Sequence, residues 1–128
     1  TFFEETMQSL ANQTDMRFKV YIGDDASPEN PTDLLEKYRG KFDFTYHRFE
    51  RNLGGISLTQ QWERCIALAN SEEWLMILGD DDYLGENVVE QFYLHLPEFS
   101  TTHLAHQPYD LYSKEFLQFC SELLHLVL

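Results

Sequence analysis

Apolar residues recur along this chain at two spacings. Phe3, Met7 and Leu10 stand at i, i+4 and i+7, which predicts an amphipathic helix over about residues 2–12. Phe18-Lys19-Val20-Tyr21-Ile22 is a short apolar run that reads as a strand ending at Gly23. Asn30 as N-cap, Pro31 at the first helical position and Asp33 in the first turn predict a helix to Arg39, stopped by Gly40. Residues 42–47 alternate weakly and read as a second strand. Arg51-Asn52-Leu53-Gly54-Gly55 is a loop, and Ser57 with Gln60 makes a capping box for a helix through Ala69. Trp74-Leu75-Met76-Ile77-Leu78 is continuously apolar, as in a strand covered on both faces. Gly85-Glu86 opens another helix that ends near Pro97.

Beyond Pro97 the pattern weakens. Residues 98–112 fit no element strongly, although His103–His106 suit a strand. Ser113 is a candidate cap for a last helix, apolar around nearly its whole circumference, which needs burial on most sides. It is expected either to pack within the same domain or to join two copies in a homodimer. The chain therefore divides into an α/β region, residues 1–97, and a C-terminal segment, residues 98–128.

Helices alternating with strands in this order predict a mainly parallel sheet flanked by helices, with right-handed crossovers. The first helix has no strand ahead of it, though a βαβ unit expects one. The chain begins at Thr1, not at a methionine, and reads as a piece of a longer protein.

The first and last of the three strands end alike. One runs into Gly23-Asp24-Asp25, the other into Gly79-Asp80-Asp81-Asp82. Ligands of open α/β sheets bind beyond the carboxyl ends of the strands, so five aspartates are expected at such an edge. Adjacent carboxylates about 5 Å apart repel by roughly 3 kcal/mol at an effective dielectric of 20. Pointing them to water relieves this, and so does a cation. Mg²⁺ and Mn²⁺ favour carboxylate oxygen, usually one or two carboxylates plus substrate phosphates. The alternative is a solvated acidic turn whose aspartate caps the next helix.

Charge narrows the partners. The 128 residues carry 22 acidic and 9 basic side chains, a net charge of −13. Such a surface argues against non-specific nucleic-acid binding and against anionic membranes. It does not argue against a nucleotide carried with a divalent cation. Cys65 and Cys120 lack metal-ligand spacing and read as reduced, buried thiols. His103 and His106 read as a surface pair, and His47, His95 and His125 as structural or exposed. Trp62 and Trp74 read as core anchors. Tyr83 reads as core packing, and Glu4-Glu5 and Glu72-Glu73 as solvated faces. There is no signal peptide and no 18-residue apolar run.

Four motifs in order, Asn12-Gln13-Thr14, Phe18 to Ser27, Asn52-Leu53-Gly54-Gly55-Ile56-Ser57, and Trp74 to Leu84, resemble those of family 2 glycosyltransferases with the GT-A fold. The likeness covers residues 2–96. It implies transfer of a sugar, usually with inversion, from a nucleoside diphosphate donor (UDP- or GDP-linked) to a saccharide or lipid-linked acceptor. By the same resemblance, Asp25 contacts the base, Asp24 supports the turn and Asp80 faces the ribose. Asp81 ligates a Mn²⁺ or Mg²⁺ that bridges the diphosphate, with Asp82 extending the cluster, and Asn52 and Gly54 line the donor loop. Two positions depart from the family: Gly79 stands where many members have aspartate, and Gln60-Gln61-Trp62 stands where many have an Arg-Asn pair. No catalytic base is assigned; the carboxylates after Pro97 are Glu98, Asp110, Glu115 and Glu122. The family setting is surface-polysaccharide synthesis in the cytoplasm, at the inner face of the cell membrane.

Three other functions use similar residues. A non-catalytic binding module keeps the acidic nucleotide site without turnover. A nucleotidyltransferase uses strand-end aspartates and Mg²⁺ with a phosphate loop. A receiver domain adds a lysine at a later strand end, and no such lysine is evident.

Overall fold

A computed structural model describes residues 1–70, 72 and 74–101. Within them the order is α1 (Phe2–Ala11), β1 (Lys19–Asp24), α2 (Thr32–Tyr38), β2 (Asp43–Arg48), α3 (Leu58–Ile66) and α4 (Val88–Thr101). The two strands pair in parallel, from Lys19 opposite Asp43 to Asp24 opposite Arg48. This is an α/β arrangement, as the alternation of elements requires.

The core follows from the side-chain periods. In α1, Met7 and Leu10 are fully buried, and each stabilises the fold by about 1.5–3 kcal/mol. On β1, Val20 and Ile22 join them with Leu35, Tyr38, Phe42, Leu78 and Leu84. The pleat sends Tyr21 the other way, where its hydroxyl meets Glu72 and Asn70. The Tyr21 bond holds the Glu72 carboxyl below its ordinary range. Beneath the start of the sheet, Phe42 packs between Phe18 and Phe44, with ring centroids 5.8 and 5.7 Å away.

Caps set the helix ends. Thr1 Oγ1 accepts the Glu4 amide of α1, and Ser57 Oγ accepts the Gln60 amide of α3. The reciprocal half of the Ser57–Gln60 box is replaced, because the Ser57 amide donates to the Leu53 carbonyl at 2.7 Å. Asn30 accepts from the Thr32 amide one residue earlier than a standard cap, and Pro31 takes the N-cap position. Gly40 follows α2 with φ +83° and ends it, as predicted.

The structure corrects several expectations. Strand β1 does not stop at Gly23 but carries Asp24 as its last residue. The 74–78 run is not a strand: β1 pairs only with β2 among the described residues, so this run has no ladder partner for its backbone. Its Leu78 is buried, but Trp74 and Leu75 are exposed. Helix α3 ends at Ile66, three residues short of Ala69. Helix α4 passes through Pro97 to Thr101, so the helix does not end near Pro97 as expected. A proline there forgoes one backbone bond without ending the helix. Trp62 and Trp74 are each 40% exposed and Tyr83 is 64% exposed, so none of them is a core anchor. Trp74 instead meets the Phe92 ring edge-on at 5.8 Å. His103–His106, Ser113, Cys120 and the apolar C-terminal helix lie outside the described residues.

Candidate functional site

The first acidic pair is fully engaged by its own surroundings. Asp24 is inward-facing, with 5% of its side chain exposed. Its carboxylate accepts from Tyr46 Oη at 2.6 Å, Arg48 Nη1 at 2.8 Å and the Ser27 amide at 2.7 Å. Tyr46 and Arg48 are two apart on β2 and reach Asp24 because the parallel register places Arg48 opposite it. Burial, and then the neighbouring Asp24, push the Tyr46 hydroxyl's pKa up. Arg48 also donates to the Ser27 carbonyl at 2.6 Å, so Asp24 and Arg48 together close the turn after β1.

Asp25 points to the next loop. It accepts from the backbone amides of Leu53 and Gly54, each at 2.7 Å, and from the Arg64 guanidinium. The approach is close enough that a Cβ at Gly54 would lie 2.7 Å from Asp25 Oδ2, so any other residue here would push the Asp25 carboxylate off its bonds to the loop amides. Close approach, not a positive φ, is therefore what this glycine supplies. Asn52 completes the loop, donating to the Asp25 carbonyl at 3.1 Å and accepting the Gly55 amide at 3.0 Å. Ala26, just after Asp25, has φ 57°, a conformation that costs a non-glycine residue about 1–2 kcal/mol.

Arg64 stands near the end of α3, beyond the Gln60-Gln61-Trp62 stretch. It lies over the Phe49 ring at 3.9 Å, donates to Gln61 and to the Arg51 carbonyl, and pairs with Asp25. Gln61 in turn donates to the Gly23 carbonyl at 3.1 Å and so joins α3 to β1. Behind it the Cys65 thiol is buried, which pushes its pKa up to about 11, far from the thiolate that nucleophilic or metal-binding chemistry needs.

The second acidic group is held differently. The Gly79 amide donates to Asp82 Oδ2 at 2.7 Å and the Asp82 amide returns to the Gly79 carbonyl at 3.2 Å, closing a four-residue turn. Asp81 Oδ1 and Asp82 Oδ2 both fold over Gly79, within 2.9 and 3.0 Å of where its Cβ would stand. Among the described residues no lysine or arginine pairs with Asp80 or Asp81. Nor, among them, do three carboxylate, thiol or imidazole groups gather around one point. Two hard carboxylates on one turn suit a Mg²⁺- or Mn²⁺-type ion that takes its remaining ligands from phosphate and water.

This turn is anchored by a row of buried polar side chains on α1 and just beyond it. Thr6 Oγ1 lies 3.0 Å from the Asp80 carbonyl and 2.7 Å from that of Asp82. Ser9 Oγ accepts the Leu84 amide at 3.1 Å. Gln13 donates to the Gly85 carbonyl at 2.7 Å and accepts the Val89 amide at 3.2 Å. The sequence marked Gln13 only within the Asn12-Gln13-Thr14 motif, without a role, and did not mark Thr6 or Ser9. Their signal was the spacing i, i+3, i+7, polar side chains sharing a helical line beside the apolar stripe. Tyr46 and Arg48 carried no signal, since their role depends on strand register. An open cavity of about 460 Å³, lined by Met16, Arg39, Phe42, Asp43 and Phe44 among others, lies at the opposite end of β2 and includes no residue of either acidic station.

The model of "Glycosyl transferase family 2" matches residues 1–116. Poly(ribitol-phosphate) beta-N-acetylglucosaminyltransferase TarS of Staphylococcus aureus, in strains Mu50 and MW2, is 29% identical to this chain over 92 residues, 70% of the chain. The chain spans about 15% of the length of these curated relatives. No solved structure matches at a significant level.

Proposed function

The chain belongs to glycosyltransferase family 2, whose members commonly use a divalent metal with a nucleotide-sugar donor and an acceptor; from that premise we propose that it forms the donor-binding part of an inverting transferase. The donor is a UDP- or GDP-linked sugar. The acceptor is a saccharide or lipid-linked chain of a cell-surface polysaccharide, handled at the cytoplasmic face of the membrane. The likeness to an enzyme named for adding N-acetylglucosamine to poly(ribitol-phosphate) supports a cell-wall polymer as that acceptor.

One observation carries the proposal: Asp24 and Asp25 each pair with an arginine, whereas among the described residues no lysine or arginine pairs with Asp80 or Asp81. Asp81 and Asp82 hold Mn²⁺ or Mg²⁺, and Asp80 faces the ribose. Asp25, with Asn52 and Gly54, shapes the loop that receives the base, and Asp24 keeps its turn closed. When bound, the metal acts as a Lewis acid that stabilises the departing diphosphate.

Calorimetric titration of UDP and GDP, with and without Mn²⁺, tests this on the chain and on Asp81→Asn. Metal-dependent binding of one nucleotide, removed by the substitution, is the expected result. Binding that ignores both metal and substitution would overturn the assignment.

A further inference from the structure

We propose that Thr6 is a positioning residue that sets the direction of the Asp81 and Asp82 carboxylates. The inference deepens the donor-site proposal and rests on it for its ligand, though not for its geometry. Thr6 lies in the middle of α1 and is fully buried. A threonine inside a helix ordinarily returns its hydroxyl to the carbonyl four residues back. Here that partner, the Phe2 carbonyl, is the most distant of three at 3.2 Å. The Asp82 carbonyl at 2.7 Å and the Asp80 carbonyl at 3.0 Å are closer. A hydroxyl has one proton to give, so Thr6 spends it chiefly on the acidic turn.

The consequence passes through the backbone. Asp81 stands between the two carbonyls that converge on Thr6, so its Cα is fixed from both sides. Asp82 Oδ2 is held by the Gly79 amide of the same turn. Helix α1 is a firm base for this contact, because Met7 and Leu10 are wholly buried in the core. Thr6 touches neither carboxylate. It acts through the turn that carries them, and the Ser9 and Gln13 contacts fix the chain that leaves it.

Thr6→Val keeps the shape and removes the donor, and Thr6→Ser restores it. Two readouts separate positioning from mere stability. The first is hydrogen exchange at the Gly79 amide, set against the amides of α1. The second is the ratio of UDP or GDP affinity with and without Mn²⁺. In Thr6→Val, Gly79 exchange should quicken while α1 protection holds. The metal-dependent gain should fall about tenfold, as when a partner of a metal ligand is lost, with metal-free affinity unchanged. Thr6→Ser should return both to wild type. Unchanged Gly79 exchange overturns the proposal, as does an equal loss across α1 and both affinity arms. Should Thr6→Val not fold, Thr6→Cys takes its place, with its weak S–H donor. Should wild type show no metal-dependent gain while Gly79 exchange still responds to Thr6, the donor-site proposal fails and the positioning role stands.

Discussion

Gly23-Asp24-Asp25 and Gly79-Asp80-Asp81-Asp82 look alike as letters and are built in opposite ways. The first pair is neutralised from inside the protein: Asp24 by Arg48 and Tyr46, Asp25 by Arg64 and two backbone amides. In the second, the carbonyls are held by α1 and the carboxylates of Asp81 and Asp82 crowd over Gly79. The difference shows why a motif does not define a site. Carboxylates whose hydrogen-bonding capacity is filled by their own chain organise loops. At the second station, among the described residues, no lysine or arginine pairs with Asp80 or Asp81, and on that difference the proposed cation site rests.

The sharpest way to break this comparison is to remove Asp24. Asp24→Ala leaves a half-buried tyrosine hydroxyl, a turn amide and Arg48 without their shared acceptor, and should cost about 3 kcal/mol, measured by urea unfolding. A loss under 1 kcal/mol would mean that the first station is not the structural one. Asp25→Ala should cost less, about 2 kcal/mol, because its partners reach water more easily. It should also quicken hydrogen exchange at the Leu53 and Gly54 amides; unaltered exchange there would contradict the loop-ordering role.

Alkaline titration gives a smaller effect. Cys65 lies behind the first station, with its pKa raised by burial from an ordinary 9.0 to about 11. Below pH 9 both folded and unfolded chains hold this proton. Above it the unfolded chain releases a proton that the folded one keeps, so stability is lost as pH rises towards 11. The slope is at most about 1.4 kcal/mol per pH unit. The comparison is with Cys65→Ala, which should lack this part of the slope; identical slopes would refute the burial.

The smallest effect on folding belongs to the second station. Without ligand, Asp81→Asn should shift stability by less than about 0.5 kcal/mol, since Asp81 is exposed and the change relieves like-charge crowding. A large destabilisation would make Asp81 structural and erase the contrast.

By itself the sequence determined the local elements. Helical spacing of Phe3, Met7 and Leu10, the Ser57 cap, the stop at Gly40 and the alternation on β2 all depend on neighbours within a few residues. It also marked the two acidic stations, because consecutive aspartates after apolar runs are unusual enough to stand out. Tertiary structure decided what holds each station. Register brings Arg48 to Asp24, helix packing brings Arg64 to Asp25, and the fold lays Thr6 against a turn 76 residues away. The same dependence defeated the strand reading of residues 74–78. An apolar run becomes a strand only when another strand satisfies its backbone, and that is a property of the neighbour, not of the run.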